Sequence, residues 1–235
     1  MVPSSTNVKS FLMAVRKART AAGPGRRASA GQPVRERILS AAFAVFRDRG
    51  YGEASTLEIA TRARASKREL YALFDSKHEM LTACIGDRAR QMRLPLELPA
   101  PTDRASLAAT LTAFGTATLR VACEPSVLAM YRLAIGESER SPEIAKVLDS
   151  AGRGANHAAL VAFLAEAKAQ QLFADGDPSE MATTFFGLLW GNLLIRLLLR
   201  VTPVPALKEM ERRAGDASRI LLTLYPAPSR DKALA

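Results

Sequence analysis

The sequence holds few of the residues from which metal sites and catalytic centres are usually built. Its 235 residues include two histidines and two cysteines. Neither histidine belongs to a metal-ligand motif, and the chain lacks a glycine-rich loop of the kind that cradles phosphates. We therefore expect no metal, no cofactor and no catalytic residue. We therefore do not expect the protein to be an enzyme.

The cysteines and the longest apolar run argue against two further classes of protein. Cys84 and Cys123 form neither a metal-binding spacing nor a disulfide framework, which is typical of a protein kept in a reducing cytoplasm. The apolar run over 185–201 is shorter than the roughly 20 residues a bilayer span needs. It also contains Asn192 and Arg196. We interpret it as a helix buried in a bundle and expect a cytoplasmic protein without membrane contact.

Strand-forming patterns are also scarce. Aromatic residues make up 6% of the chain, and its mean hydropathy is close to zero. Alanine, leucine and arginine dominate while β-branched runs are rare, a composition that favours helices. From Pro33 onward apolar residues recur at helical spacing, with proline and glycine between the runs. The predicted fold class is all-α.

What the sequence has in excess is positive charge, and the excess lies at one end. The formal net charge is +10, with 33 Lys and Arg against 23 Asp and Glu. Residues 1–93 contain 18 basic and 8 acidic residues, whereas residues 94–235 contain 15 of each. A basic composition with arginines placed at random would spread the charge. The observed distribution predicts a module that binds a polyanion, joined to a neutral body.

The first 33 residues are a basic arm. They are rich in Ser, Ala, Gly and Pro and contain six basic residues and no acidic one. Such a segment is expected to be disordered on its own. Two interpretations stay open, a flexible arm that reaches the backbone or minor groove of DNA and a solvated tail without a role.

Three helix starts follow one another closely between residues 55 and 79. Each is a capping box, in which a serine is followed three residues later by a glutamate that can reach back to the serine N–H. The boxes are Ser55 with Glu58, Ser66 with Glu69, and Ser76 with Glu79. Starts 11 and 10 residues apart leave room only for very short helices and tight turns. This spacing predicts a helix-turn-helix, preceded by a helix over 34–49 that Gly50 ends.

The helix that opens at Ser66 is predicted to enter the major groove. Stepping 100° per residue divides its side chains between two faces. The core face has Leu70, Leu73 and Phe74, and the opposite face has Lys67, Arg68, Tyr71 and Ala72. Arg68 lies near the centre of the outer face, where a guanidinium can pair with the edge of a guanine. Glu69 is interpreted as a cap in preference to a reader of cytosine.

Phosphate contacts are expected around this helix and at neighbouring helix N-termini, where N–H groups are free. Lys67 and Tyr71 suit phosphates, and so do Thr56, beside the cap of the first motif helix, and Lys77, at the head of the following helix. Taken alone, Lys77 would be read as a solvated lysine. The complete set of predicted DNA-binding residues is Thr56, Ser66, Lys67, Arg68, Tyr71 and Lys77.

The stretch over 35–85 resembles the DNA-binding domain of the TetR (tetracycline-repressor-like) family of regulators. The elements that carry the resemblance are Ile38-Leu39, Ala41-Ala42, Phe46, Gly50-Tyr51, Thr56, Ile59-Ala60, Ser66, Leu70-Tyr71, Phe74 and Ser76-Lys77. The chain departs from the family pattern at three positions. The family usually has glycine at the position of Arg64, and it often has glycine at that of Arg68 and histidine at that of Leu73. The last two departures imply an operator sequence of its own. The resemblance implies a dimer on a palindrome with half-sites ~34–36 Å apart.

The region from about 103 to 225 is similar, more loosely, to the ligand-binding domain of the same family, and the segment YRLAIGESERSPEIAKVL is typical of one C-terminal subgroup. The resemblance implies an effector pocket among the central helices and a dimer made by the last two. The predicted organisation is therefore an arm over 1–33, a helix-turn-helix domain over 34–84, a helical effector-binding and dimerisation domain over 85–226, and a tail over 227–235.

Six side chains in this region are candidates for an effector pocket, because they are large or carry a polar tip. They are Phe114, Met130, Tyr131, His157, Phe186 and Trp190. Sparse charge in these stretches predicts a small, apolar effector. Taken singly, each of these residues is more simply explained as part of the core.

The last helix has the spacing of a dimer seam. Apolar residues step by 3, 4, 3, 4 and 3 along it, which is the a/d pattern of helices that pack in pairs. They are Leu207, Met210, Ala214, Ala217, Leu221 and Leu224. The alternative, that this seam packs on its own domain, stays open.

These features predict a sequence-specific transcriptional regulator, a homodimeric repressor that a ligand releases from double-stranded DNA. An activator of the same fold and a nonspecific or architectural DNA-binding protein are the alternatives. Affinity for one palindrome against random duplex, compared at fixed salt, separates the last of these. Release of DNA without turnover of ligand separates a regulator from an enzyme.

Overall fold

The computed structural model describes residues 33–91, 98 and 100–228, so the predicted arm before Pro33 and the tail after residue 228 lie outside it. Every regular element in those ranges is a helix, and they contain no strand. The α-helices are α1 (Val34–Glu53), α2 (Thr56–Ala63), α3 (Lys67–Leu73), α4 (Lys77–Gln91), α5 (Arg104–Ala122), α6 (Pro125–Glu137), α7 (Pro142–Leu148), α8 (Ala155–Ala169), α9 (Pro178–Trp190), α10 (Leu193–Leu198) and α11 (Leu207–Leu224). A π-helical turn, Asp149–Gly154, joins α7 to α8. The all-α fold class is confirmed.

The helices group into two compact units that do not follow the predicted division of the chain. One unit contains residues 33–91 together with 125–153, and the other contains residues 100–124 together with 154–228. Helices α6 and α7, assigned from sequence to the effector domain, thus pack with the helix-turn-helix, against α1 and α4. Their apolar side chains, such as Val127, Leu128 and Ile144, are buried in this packing.

Helix α1 forms the centre of the first unit. Its buried face contains Ile38, Leu39, Ala42, Phe43, Val45 and Phe46. Gly50 interrupts the helix with φ 79° and ψ 169°, a conformation that a residue with a Cβ rarely adopts. The stop predicted at Gly50 is present, although one further turn follows it before Ala54.

In the second unit α5 is surrounded by other helices. Most of its residues are buried, and α11 packs along it. Gly115 allows this close approach, because a Cβ at that position would lie 3.1 Å from both the Ala214 Cβ and the Phe185 ring. A larger residue there would force α9 and α11 away from α5.

The apolar run over 185–201, interpreted from the sequence as one helix, belongs to two helices. Gly191 has a positive φ of 46°, and it ends α9 before α10 begins at Leu193. The side chain of Arg213 donates to the carbonyls of Leu189 and Trp190 at 3.2 and 3.0 Å, which satisfies the exposed end of α9. None of the helices in the described ranges is long and apolar enough to cross a membrane.

Candidate nucleic-acid interface

The turn between α2 and α3 has the geometry of a helix-turn-helix. Arg64 ends α2 in the left-handed conformation, with φ 51° and ψ 46°, at the position where the family has glycine. The following Ala65 N–H donates back to the Ala60 carbonyl at 3.0 Å, closing the helix end. Arg37 from α1 donates to the carbonyls of Ala63 and Arg64 at 3.1 and 3.2 Å, so the core helix holds the turn in place.

Of the three predicted capping boxes, the one that starts α3 is complete. The Glu69 N–H donates to Ser66 Oγ at 3.1 Å, and the Ser66 N–H donates to the Glu69 carboxylate at 2.8 Å. These bonds from Ser66 lower the pKa of Glu69. The assignment of Glu69 as a cap therefore agrees with its contacts, and Ser66 shapes the helix start with its side chain.

The two other boxes are half-formed. Ser55 Oγ accepts from the Leu57 N–H, while the Glu58 carboxylate pairs with Arg62, 2.7 Å away. Ser76 accepts from the Glu79 N–H, but the Glu79 carboxylate accepts from the Asp75 N–H in place of the serine's own. All three helices still start at the predicted serines, since one side-chain bond suffices to cap a first turn.

The outer face of α3 presents two cations to solvent. Lys67 and Arg68 are exposed, and neither has a hydrogen-bond or ion-pair partner within the described part of the chain. Leu70, in contrast, is fully buried in the core. The orientation predicted for Lys67 and Arg68 therefore matches their exposure.

Tyr71 and Thr56 lie together beside this face. Tyr71 is 48% exposed, and its hydroxyl lies 3.3 Å from the Thr56 hydroxyl. The side chains come from α3 and from the first turn of α2, so the pair offers two hydroxyls at a helix N-terminus. That is a suitable arrangement for a phosphate oxygen.

Leu73 differs from the prediction. It is 40% exposed, whereas Leu70 and Phe74 are buried as expected. The helix ends at Leu73 and the chain then turns at Phe74, so the core does not extend as far as the last turn of α3. Leu73 consequently belongs to the exposed surface near the outer face.

Lys77 also differs from the prediction. Its ammonium donates to the carbonyls of Tyr51, Gly52 and Ala54 at 2.9, 3.1 and 3.2 Å, and it lies 4.6 Å from the centre of the Tyr51 ring. All three N–H donors are thus used inside the protein, and none is left for a phosphate. Lys77 ties α4 to the segment between α1 and α2, a role that its position in the sequence does not reveal.

Acidic side chains near α2 are neutralised by arginines. Arg62 bridges Asp48 at 3.1 Å and Glu58 at 2.7 Å. Hydrogen bonds from Arg47 and then Arg62 lower the pKa of Asp48, so this carboxylate stays ionised and paired. The pairing reduces the repulsion that these carboxylates would exert on a polyanion.

The six candidate pocket residues divide between the two units. Phe114, His157 and Phe186 come together in the second unit. The ring centroids of Phe114 and Phe186 are 6.0 Å apart, and those of His157 and Phe186 are 5.9 Å apart. Trp190 follows Phe186 by one turn on α9. Met130 and Tyr131 belong to the other unit, where Met130 is fully buried and burial raises the pKa of Tyr131.

The predicted dimer seam on α11 faces the inside of its own unit. The assignment of four of its six residues to a dimer interface is therefore wrong. Met210, Ala214, Ala217 and Leu221 are buried within the second unit, where α11 packs on α5 and α9. Only Leu207 and Leu224, at the two ends of the helix, are exposed, at 48% and 58%. The a/d spacing does mark a packing seam, but the helices that pack against it belong to the same chain.

Both halves of the chain match family models. Residues 38–84 match the family described as "Bacterial regulatory proteins, tetR family", and residues 109–227 match the "AefR-like transcriptional repressor, C-terminal domain". Comparison with curated proteins finds no match.

Solved structures of similar fold support this assignment. A TetR transcriptional regulator from Agrobacterium tumefaciens has 25% identity and a TM-score of 0.73, covering 86% of this chain and 98% of that one. The flavonoid-responsive regulator FrrA has 26% identity and a TM-score of 0.69, covering 83% and 98%. A TetR-family regulator from Pseudomonas syringae pv. tomato str. DC3000 has 28% identity and a TM-score of 0.61, again covering 83% and 98%. The chain belongs to the TetR family of DNA-binding transcriptional regulators.

Proposed function

We propose that the protein is a repressor that holds a palindromic operator as a homodimer until a small molecule releases it. The observation that carries the proposal is the outer face of α3, where Lys67 and Arg68 are exposed and unpaired next to the Thr56–Tyr71 hydroxyl pair. Arg68 has the reach and the two parallel donors to pair with guanine, while Lys67 and the hydroxyls bind phosphates.

Release by a small molecule is supported by the C-terminal region. It matches the C-terminal domain of AefR-like repressors, and the flavonoid-responsive regulator FrrA is 26% identical to this chain. The aromatic cluster of Phe114, His157 and Phe186 suits an apolar effector. Such a ligand acts by favouring one of two conformations, in this case the one whose paired reading helices no longer match the grooves.

The dimer that this function needs is proposed to form through exposed apolar side chains around α10. Ile195, Leu199, Val201 and Val204 are between 45% and 65% exposed, and Leu207 at the start of α11 is 48% exposed. A second copy of the chain is the occupant, because regulators of this family bind DNA as dimers. The double variant Ile195→Glu with Leu199→Glu should be a monomer in analytical ultracentrifugation. Ile135→Glu is the control, because Ile135 is about as exposed as Ile195 but lies on α6, and this variant should remain a dimer.

The reading of DNA by α3 can be tested in two steps. The bound sequence is first selected from a random duplex library, and binding by Arg68→Ala is then compared with that of the wild type. The wild-type protein should select a palindrome, and the variant should lose ~1–3 kcal/mol of discrimination per half-site at one base pair. Lys67→Ala should weaken all duplexes alike and reduce the salt dependence of binding.

Arg140→Ala serves as the control, because Arg140 is exposed in the same unit but lies between α6 and α7. It should bind as the wild type does. Equal weakening of all duplexes by Arg68→Ala would contradict base reading, and failure to select any sequence would favour a nonspecific DNA-binding protein. Transcription from a promoter that carries the selected palindrome then distinguishes repressor from activator.

A further inference from the structure

Three helices of the second unit bring aromatic rings together around Phe186. The His157 ring of α8 stacks against Phe186 of α9, with centroids 5.9 Å apart and planes inclined by 23°. Phe114 of α5 meets the same ring edge-on, with centroids 6.0 Å apart and an angle of 67°. Phe114 is almost completely buried, whereas His157 and Phe186 are only partly covered. The cluster therefore offers aromatic surface that is incompletely used by the protein itself.

The hydrogen bonds around His157 favour one of its two neutral tautomers. The Thr183 hydroxyl donates its single hydrogen to the Ser179 carbonyl at 2.9 Å. His157 Nε2 lies 3.2 Å from the same hydroxyl oxygen, which can then only accept. With the Thr183 hydroxyl donating to Ser179, Nε2 is the donor to Thr183, and in the neutral imidazole Nδ1 is left as an acceptor.

The other histidine of the chain shows that this acceptor is unusual. His78 uses both ring nitrogens, with Nε2 2.6 Å from a Glu143 carboxylate oxygen and Nδ1 3.3 Å from the Ser141 hydroxyl. His157 Nδ1 has no such partner in the described part of the chain, and no carboxylate pairs with the ring there. A directed acceptor is thus left open beside an aromatic surface.

We propose that this cluster binds a hydroxylated aromatic effector. The ring of the effector packs against the exposed part of Phe186, and its hydroxyl donates to His157 Nδ1. The inference rests on the proposed function, in which a small molecule releases the operator, and it adds the chemical class of that molecule. Aromatic packing supplies most of the affinity, and the hydrogen bond makes the site prefer a phenol over its methyl ether.

The preference can be measured with two probes that differ only at the hydroxyl, 4-phenylphenol and 4-methoxybiphenyl. Binding to the full chain is followed by calorimetry and by the fluorescence of Trp190, the only tryptophan, which lies one turn from Phe186. The wild-type protein should bind the phenol about tenfold more tightly, as expected for one hydrogen bond. His157→Phe keeps an aromatic ring but removes the acceptor, so it should abolish the difference, while Phe186→Leu should weaken both probes alike.

His78→Gln is the matched control and should keep the wild-type preference. Equal affinities for the two probes in the wild type, a preference that survives His157→Phe, or no binding of either probe up to its solubility limit would overturn the inference. Binding to the selected palindrome is measured on the same samples. A protein that binds its palindrome but fails these ligand tests refutes only the effector class, whereas one that selects no DNA sequence refutes the proposed function. Retained palindrome binding also shows that each variant is folded.

Discussion

Each of the two compact units contains one basic side chain that satisfies three backbone carbonyls. In the helix-turn-helix unit Lys77 donates to Tyr51, Gly52 and Ala54. In the other unit Arg104 donates to the carbonyls of Leu172 and Tyr225 at 2.8 and 3.0 Å, and also to that of Leu222. The compact ammonium serves carbonyls that converge on one point, whereas the planar guanidinium spreads over carbonyls from two separate segments.

The two cations differ in what they hold. Lys77 holds the segment that leads into α2, next to the helices proposed to contact DNA, while Arg104 joins the end of α11 to the segment after α8. Arg104 also lies 5.6 Å from the centre of the Phe173 ring, and burial lowers the pKa of its guanidinium. The charge of a basic residue is therefore not enough to identify it as a DNA contact. The positive excess of the N-terminal region overstates the number of cations available to phosphates.

The largest effect is expected from Arg104→Met. It leaves three partly buried carbonyls without a donor, which should lower the free energy of unfolding by about 3 kcal/mol. Urea denaturation followed by circular dichroism measures this loss, and Arg104→Lys should recover part of it. Palindrome affinity at low temperature, where the variant is still folded, should change less than twofold. An Arg104→Met protein as stable as the wild type would show that water replaces the guanidinium without cost.

Lys77→Met should have a smaller effect on stability and a larger one on DNA binding. Solvent can reach the Gly52 carbonyl, so the loss of unfolding free energy should be about 1–2 kcal/mol. Because Lys77 holds the entry to α2, affinity for all duplexes should fall together. The salt dependence decides its role. A lost phosphate contact would reduce the slope of log K against log salt by about 0.9, whereas loss of the internal bonds should leave the slope unchanged.

Arg64→Gly is expected to have the smallest effect and the opposite sign. Arg64 is held in the left-handed conformation, which costs a residue with a Cβ on the order of 1 kcal/mol relative to glycine. The substitution should therefore raise the melting temperature of the protein by a few degrees. Arg64→Ala keeps the Cβ and serves as the control, since it should bring no gain. A lower melting temperature for Arg64→Gly would mean that the Arg64 side chain makes a contribution larger than the strain.

The helix-turn-helix could be predicted closely because its signals are local. A serine cap and a glutamate three residues on define a helix start from neighbouring atoms alone, and Ser66 with Glu69 form the expected bonds. The 100° step placed Arg68 outside and Leu70 inside correctly. The same step failed at Leu73, because the angle around a helix does not tell how far along it the core extends.

The second unit was less predictable because its signals are not local. The spacing of Met210, Ala214 and Leu221 describes a seam, but nothing in the spacing states whether the neighbour is another helix of the same chain or a partner. In the same way the candidate pocket residues share a type of side chain, yet Met130 and Phe114 belong to different units. The same limit applies in the first unit to Lys77, whose direction depends on carbonyls more than 20 residues away.

The order of residues alone established the helical class, the helix starts at Ser55, Ser66 and Ser76, and the outward cations of α3, because caps and periodicity act over three or four residues. Three-dimensional packing assigned the neighbour of α11, drew α6 and α7 into the unit with the helix-turn-helix, turned Lys77 inward and left His157 with an open acceptor. These outcomes depend on atoms that are distant in the chain. The contacts that stabilise them form only when the helices have packed together.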